Sequence, residues 1–213
     1  MSGVSLLEYL SEQDCSRPAV VTETASASFG DLTRRAYQIR DRGWPLAERA
    51  VANSTDLISF LEALVGYEGW AEAVFLQSVG TQVYPDSATY GLRPLPNGNR
   101  TRLVLTTSGT TGLPKLISHT LASLTATTKR NVDGGPKQKW GLLYDPAKLA
   151  GVQVVLQALL GGSTLIAPGN CGIEQAVDFM AKHGVTALSA TPCFCRQLLL
   201  ARSITRLPLK QIT

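Results

Sequence analysis

The stretch from Thr106 to Lys115, TTSGTTGLPK, combines small hydroxylated residues and glycines with a single cation. Ser, Thr and Gly bury little apolar surface, so a hydrophobic core has no use for such a run. Gly109 and Gly112 permit backbone turns that other residues disfavour, and they let main-chain N–H groups approach a ligand closely. Four side chains add hydroxyl donors: Thr107, Ser108, Thr110 and Thr111. Together with the compact charge of Lys115, these donors predict a cradle for a polyphosphate.

Two common phosphate-binding motifs do not fit this stretch. A Walker loop requires G-x-x-x-x-G-K-[ST] running directly into a helix. Here Pro114 stands where the second glycine of that motif would be, and Leu116 and Ile117 after the lysine favour an extended chain. The G-x-G-x-x-G pattern of dinucleotide-binding folds is also missing. The sequence therefore predicts a phosphate loop of another kind.

The elements around the loop alternate between strand and helix. The sequence pattern predicts strands over 73–77, 102–105, 163–168 and 185–190, and helices over 154–162, 173–183 and from Pro192 onwards. This order favours an α/β fold with a mostly parallel sheet flanked by helices. Residues 79–100 are rich in proline and glycine and predict a long loop.

The first seventy residues carry clear helix-start signals. SLLEYL (5–10) opens with Ser5 and Glu8 at capping-box spacing, and Ser28 and Asp31 cap a second helix that ends near Gly43. Thr55 or Asp56 begins a third. The alternating VTETASASF (21–29) predicts a short hairpin between the first two helices.

Composition restricts the class of protein. The 213 residues are 44% apolar and 17% charged with a net charge of +4, which indicates a globular protein without a dense basic surface for nucleic acid. No apolar run reaches the ~18–20 residues of a membrane span. The four cysteines include no C-x-x-C pair, and with only two histidines the sequence predicts no metal site of its own. This cysteine usage favours a reduced, cytoplasmic protein.

TTSGTTGLPK closely resembles the phosphate-binding loop of the adenylate-forming enzymes, which include acyl-CoA synthetases, aryl-CoA ligases and peptide-synthetase adenylation domains. In that family the loop lies between two strands, and a histidine follows shortly before a helix. Residues 117–120, ISHT, fill that place, with Thr120 as a helix N-cap. Three further segments are similar to the family: 18–39, 144–165 and 185–199.

The resemblance implies ATP-dependent activation of a carboxylic acid as acyl-adenylate, followed by transfer to a thiol such as coenzyme A. ATP, Mg²⁺ and coenzyme A are the implied cofactors, and the small-molecule acid, ATP and coenzyme A are the implied partners. The implied nucleotide-binding residues are Thr107, Ser108, Gly109, Thr110, Thr111, Gly112 and Lys115. Tyr144 and His119 are candidate substrate contacts, although an ordinary core tyrosine and a structural histidine are open alternatives. The catalytic residues are not identified.

The sequence also departs from the family pattern. A histidine is usual near positions 144–148, where this chain has Tyr144, Asp145 and Lys148. After LPLKQIT the family's magnesium, ribose and catalytic-lysine motifs do not follow. We therefore expect residues 1–213 to form an incomplete N-terminal domain, without the C-terminal lid domain. We expect this incomplete domain not to be fully active alone, and it could self-associate through exposed apolar surface.

Three other functions remain open at this stage. One is a peptide-synthetase adenylation domain, within the same family. The second is a non-catalytic nucleotide-binding module that retains only the loop. The third is an unrelated phosphotransferase with a convergent loop.

Overall fold

The computed structural model describes residues 5–41, 49–80, 101–107, 115–128, 137–201 and 204–213. Within these ranges, no helix is long and apolar enough to cross a membrane. The strands, in chain order, are β1 (Pro18–Thr22), β2 (Ser26–Ser28), β3 (Arg49–Asn53), β4 (Ala73–Gln77), β5 (Arg102–Thr107), β6 (Lys115–Thr120), β7 (Lys139–Gly141), β8 (Thr164–Ala167), β9 (Ala187–Leu188) and β10 (Gln211–Ile212). The α-helices are α1 (Leu6–Ser11), α2 (Phe29–Asp41), α3 (Leu57–Tyr67), α4 (Leu121–Leu124), α5 (Leu149–Leu160), α6 (Ile173–Lys182) and α7 (Pro192–Leu200).

These strands form two mostly parallel sheets. The six-stranded sheet has the order β10-β9-β7-β8-β1-β2, and only the β1–β2 pair is antiparallel. The four-stranded sheet has the order β3-β4-β5-β6, and only the β5–β6 pair is antiparallel. The predicted α/β class with a mostly parallel sheet flanked by helices is confirmed.

The helices cover both faces of the six-stranded sheet. The largest core cluster joins one face of this sheet, through Trp140 and Leu165, to α1, α2, α3, α5 and the four-stranded sheet. A second cluster packs the opposite face against α6 and α7, through Met180 and Leu198. Burial on both faces explains why these strands have short apolar runs without clear alternation.

The capping signals in the sequence predict helix starts well. The reciprocal hydrogen bonds of Ser5 and Glu8 form a capping box at α1, and the Asp56 carboxylate accepts from the Ser59 N–H at the start of α3. Thr191 caps α7, with Pro192 in its first turn as expected. The predicted hairpin corresponds to β1 and β2.

Several elements differ from the prediction. β3, β7 and β10 were not expected: β7 and β10 have only three and two residues, and all three become strands by pairing with partners more than twenty positions away. α5 begins at Leu149 rather than at 154, and β9 covers only two residues of the expected 185–190. The predicted loop at 79–100 and the predicted helix end at Gly43 lie almost entirely outside the described residues.

Asp31 stabilises the start of α2 through contacts with Ser28. Its carboxylate accepts from the Ser28 hydroxyl at 2.7 Å and from the Ser28 N–H at 2.9 Å. These bonds, followed by the contact with Arg34, lower the pKa of Asp31 from 3.8 to about 2. Because the folded pKa lies below the unfolded one, the stabilisation is present above pH 3.8 and is lost as the pH falls toward 2.

Asp31→Ala is expected to lower the free energy of unfolding by about 1 kcal/mol near neutral pH. This expected loss is smaller than the free energy that corresponds to the full pKa shift, because the Asp31 side chain is 44% exposed and solvent screens its interactions. Urea unfolding across the acidic range measures the effect. The difference from the parent protein should shrink below pH 3.8, and Glu12→Ala, at an exposed carboxylate, serves as the control. A difference that stays constant down to pH 2 would contradict this assignment.

Candidate active site

The β5–β6 hairpin places the two ends of the Thr/Ser/Gly loop opposite each other. Thr107, the last residue of β5, pairs with Lys115, the first residue of β6. The Thr107 hydroxyl also donates to the Lys115 carbonyl at 3.3 Å. Between them, Ser108, Gly109, Thr110, Thr111 and Gly112 lie outside the described residues. The expectation that this loop joins two strands is confirmed, and a Walker loop, in which the lysine begins a helix, is excluded by Lys115 in a strand.

The loop leaves the carboxyl end of β5, which is parallel to β4 and β3. In open α/β sheets, ligands bind beyond the carboxyl ends of the parallel strands. Lys115 is exposed there. The hairpin therefore presents the predicted cation and the Thr107 hydroxyl at the edge of the sheet where this architecture usually holds a ligand.

His119 lies further along the same strand. It pairs with Leu103, is half-buried, and immediately precedes Thr120, which caps α4 as expected. His119 and Lys115 share one face of β6, because side chains alternate along a strand, but their Cα atoms are about 13 Å apart at four residues' separation. The structure thus places His119 away from the ends of the loop, and its contact with a substrate stays a prediction.

Lys148 contacts the strand that leads into the loop. Its Nζ donates to the Thr106 hydroxyl at 3.1 Å and to the Thr106 carbonyl at 3.3 Å. Thr106 is 3% exposed and Lys148 is half-buried. In the described ranges no carboxylate forms an ion pair with this ammonium group. A cation with only neutral partners therefore stands at the base of the predicted phosphate loop, where it can attract an anion.

Tyr144 connects two of the segments that resemble the family. Its hydroxyl oxygen accepts from the Thr191 N–H at 2.8 Å, and its ring lies 6.4 Å from that of Phe194, centroid to centroid. The segment before α5 is thereby attached to the start of α7. These contacts give Tyr144 a structural role, and contact with a substrate stays a prediction.

A groove of about 600 Å³ opens beside α5, and we call it the glutamine groove after four of its lining residues: Gln138, Gln153, Gln157 and Gln211. Trp140 forms part of its wall, and the segment after α4 lines the other side. Neither Tyr144 nor His119 is among the described residues that line it. Sequence reasoning missed these glutamines, although Gln153 and Gln157 stand four residues apart in the otherwise apolar LAGVQVVLQALL. Such a polar pair on one face of a buried helix was the available signal.

Among the residues that the structure describes, no three His, Cys, Asp or Glu side chains gather closely enough to hold a metal ion.

Residues 46–211, more than half of the sequence, match the family model of the AMP-binding enzymes. The chain belongs to this family. The adenylate-forming relationship indicated by TTSGTTGLPK is confirmed by a match that includes the whole hairpin, α5 and α7.

Solved structures share the fold of this AMP-binding enzyme at low sequence identity. A protein from Rhodopseudomonas palustris CGA009, described as a long-chain-fatty-acid CoA ligase, is 14% identical with a TM-score of 0.70, over 99% of this chain and 69% of that one. The amide bond synthetase McbA from Marinactinospora thermotolerans is 15% identical with a TM-score of 0.64, over 98% of this chain and 54% of that one. The nonribosomal peptide synthetase FmoA3 is 17% identical with a TM-score of 0.71, over 96% of this chain and 28% of that one.

No curated protein sequence matches this AMP-binding enzyme. The 213 residues span between 28% and 69% of the three solved chains named above. At these identities the likeness shows the fold and does not transfer a substrate or an acceptor.

Proposed function

We propose that these 213 residues form the nucleotide- and acyl-binding part of an AMP-forming ligase. The enzyme activates a carboxylic acid with ATP as acyl-adenylate and then transfers the acyl group to a thiol, with coenzyme A as the first candidate. The observation that carries this proposal is the hairpin in which Thr107 faces Lys115 across the loop, inside a family match that covers both strands. The C-terminal lid domain of the family, with further reactive groups, would lie outside these residues.

The proposed reaction is an in-line displacement at phosphorus. A carboxylate oxygen attacks the α-phosphorus of ATP, the bond to the bridging oxygen breaks, and pyrophosphate leaves with the electron pair. Such reactions depend mainly on positioning and on stabilising the charge of the phosphate oxygens. Thr107 and Lys115, with Ser108, Gly109, Thr110, Thr111 and Gly112 between them, are proposed to hold the β- and γ-phosphates. Lys148 supports this cradle by binding Thr106.

Magnesium fits this proposal as a companion of the nucleotide. Mg²⁺ typically binds one or two carboxylates together with substrate phosphates, rather than a complete protein cage. The described residues gather no carboxylate cluster of their own. We therefore propose that Mg²⁺ would arrive with the phosphates of ATP, where it would offset part of their negative charge, and that the family's magnesium motif would lie outside these residues.

The acceptor of the acyl group and the cellular location complete the proposal. The three solved relatives are described as a CoA ligase, an amide bond synthetase and a peptide synthetase, so one fold accompanies three different descriptions. Coenzyme A in the cytoplasm is our first candidate, and a carrier domain of a peptide synthetase is the alternative. We also propose that His119 and Tyr144 contribute to the site that binds the acyl group.

Calorimetric titration of the chain with Mg-ATP tests the nucleotide site. Lys115→Ala is expected to weaken binding at least tenfold, because a hydrogen bond to a charged group contributes about 1.5–3 kcal/mol. Lys182→Ala, at an exposed lysine in the last turn of α6, is the matched control and should bind like the parent chain. Equal affinity of Lys115→Ala and the parent chain would contradict the assignment of the loop. In a longer chain that includes the proposed C-terminal lid domain, nucleotide binding without any acid-dependent exchange of pyrophosphate into ATP would instead favour a non-catalytic nucleotide-binding module.

A further inference from the structure

From Gly151 to Leu160, helix α5 is buried on every side except one narrow stripe. Leu149 and Gln153 are exposed and Gln157 is half-buried, and these residues follow one another at intervals of four. Residues four apart lie above one another on a helix, so the three form a single line along its surface. The remaining described positions from Gly151 to Leu160 are buried. Burying a glutamine amide without hydrogen-bond partners is unfavourable. We therefore expect the line that contains Gln153 and Gln157 to face a space in which polar groups are accommodated.

That space is the glutamine groove. Of the thirteen residues that line it in the described structure, nine are glutamine, serine or threonine, and none of the thirteen side chains is charged. The amide groups of Gln153 and Gln211 and the hydroxyls of Ser189 and Thr213 belong to this set. Such side chains both donate and accept hydrogen bonds. Trp140 is only 4% exposed and contributes a small part of the wall.

This lining discriminates between classes of ligand. An alkyl chain would cover the amides and hydroxyls without replacing the hydrogen bonds that they make to water, which is unfavourable. A second carboxylate would meet no cation among the described lining residues and would lose hydration without compensation. A flat body with hydroxyl, keto or amide groups can instead exchange hydrogen bonds with the lining. The volume of about 600 Å³ lies in the usual range for small-molecule sites.

The groove is also within reach of the phosphate loop. α5 begins beside Lys148, which binds Thr106 at the base of the loop. Gln153 is five residues further on, which is about 7 Å of helical rise. A small acid can therefore extend its carboxylate toward the loop while its body lies against this part of α5.

We propose that the glutamine groove binds the body of the carboxylic acid, and that this body carries uncharged hydrogen-bonding groups rather than an alkyl chain or a second charge. This proposal rests on the proposed function, since it takes the acid to be the molecule that reacts at the neighbouring loop. It assigns substrate specificity to Gln153 and Gln211.

Three acids with one frame test the proposal by calorimetric titration into the chain. They are 3-(3,4-dihydroxyphenyl)propanoate, 3-phenylpropanoate and 3-(4-carboxyphenyl)propanoate. The dihydroxy acid is expected to bind about tenfold more tightly than each of the other two, since one or two net hydrogen bonds contribute about that factor. In the double variant Gln153→Leu, Gln211→Leu, this preference should fall to within about twofold.

Gln38→Leu is the matched control, because Gln38 is an exposed glutamine on α2 that does not line the groove, and it should keep the full preference. Melting curves of all variants establish that they fold. Equal affinity for the three acids, tighter binding of 3-phenylpropanoate, or no binding of any acid would overturn the proposal. A parallel Mg-ATP titration separates the two levels: nucleotide binding without the acid preference removes only the specificity proposal, whereas loss of nucleotide binding by the parent chain removes the proposed function itself.

Discussion

Gly151→Ala is expected to destabilise the protein by about 3 kcal/mol or more, the largest effect of a single methyl group that we predict. A Cβ at this position would lie 1.9 Å from the Asp145 carbonyl oxygen and 2.9 Å from the Pro146 Cα. Both are backbone atoms of the turn before α5, which is closed by the Lys148 N–H donating to the Asp145 carbonyl at 3.0 Å. Because neither atom can move away independently, helix and turn must separate. The gain in helix propensity, about 1 kcal/mol, offsets only part of this cost.

Thermal unfolding measures this effect. A loss of about 3 kcal/mol corresponds to a fall in Tm of roughly 6–12 °C for a chain of this length. Gly172→Ala is the control, since its Cβ would meet only Gln175 Oε1 at 3.9 Å; because Gly172 is the N-cap of α6, we expect a loss of at most about 1 kcal/mol, or roughly 2–4 °C in Tm. If Gly151→Ala and Gly172→Ala have the same Tm, the inferred close approach of α5 to the Asp145–Pro146 turn is contradicted.

Lys148→Met is expected to affect both stability and nucleotide binding. It leaves the buried Thr106 hydroxyl and carbonyl without the ammonium donor, which costs about 2 kcal/mol of unfolding free energy. It also removes a positive charge at the base of the loop, so we expect Mg-ATP to bind roughly tenfold more weakly. Methionine retains most of the length and apolar volume of the side chain, so packing is largely preserved.

Lys139→Met provides the comparison. Its Nζ also donates to a backbone carbonyl, that of His183 at 2.9 Å, but at an exposed site on another part of the sheet. This variant should lose no more than about 0.5 kcal/mol and should bind Mg-ATP like the parent chain. Denaturant unfolding and calorimetry together distinguish the two lysines. A Lys148→Met protein that is destabilised but keeps full nucleotide affinity would limit Lys148 to a structural role.

Local chemistry made part of this structure predictable from the sequence. Helix starts at Ser5, Asp56 and Thr120 were identifiable because a capping side chain bonds to a residue three positions away. The phosphate loop was identifiable for a similar reason, since its donors and its cation are contiguous. The strands beside it also followed from a short apolar run.

Features that depend on distant partners were not predictable in this way. Trp140 belongs to a strand only because it pairs with Leu165 on one side and Ala187 on the other. The bond from Lys148 to Thr106 spans 42 positions, and nothing near Lys148 in the sequence indicates it. The glutamine groove is similarly assembled from separate segments, so only the Gln153–Gln157 pair carried a local signal.

The position of β1 has a consequence for how the protein is made in the cell. β1 is an interior strand that pairs with β8, and the Thr164 hydroxyl donates to the Pro18 carbonyl across 146 positions of chain. At a synthesis rate of about 5–20 residues per second, the partner strand emerges roughly 7–30 s after β1. Throughout that interval β1 lacks its β8 partner, so Ala19 and Val20, which are fully buried in the finished fold, are not yet enclosed by the complete sheet. Until residues 164–167 emerge, β1 therefore retains an unpaired edge, and the six-stranded sheet closes only late in synthesis.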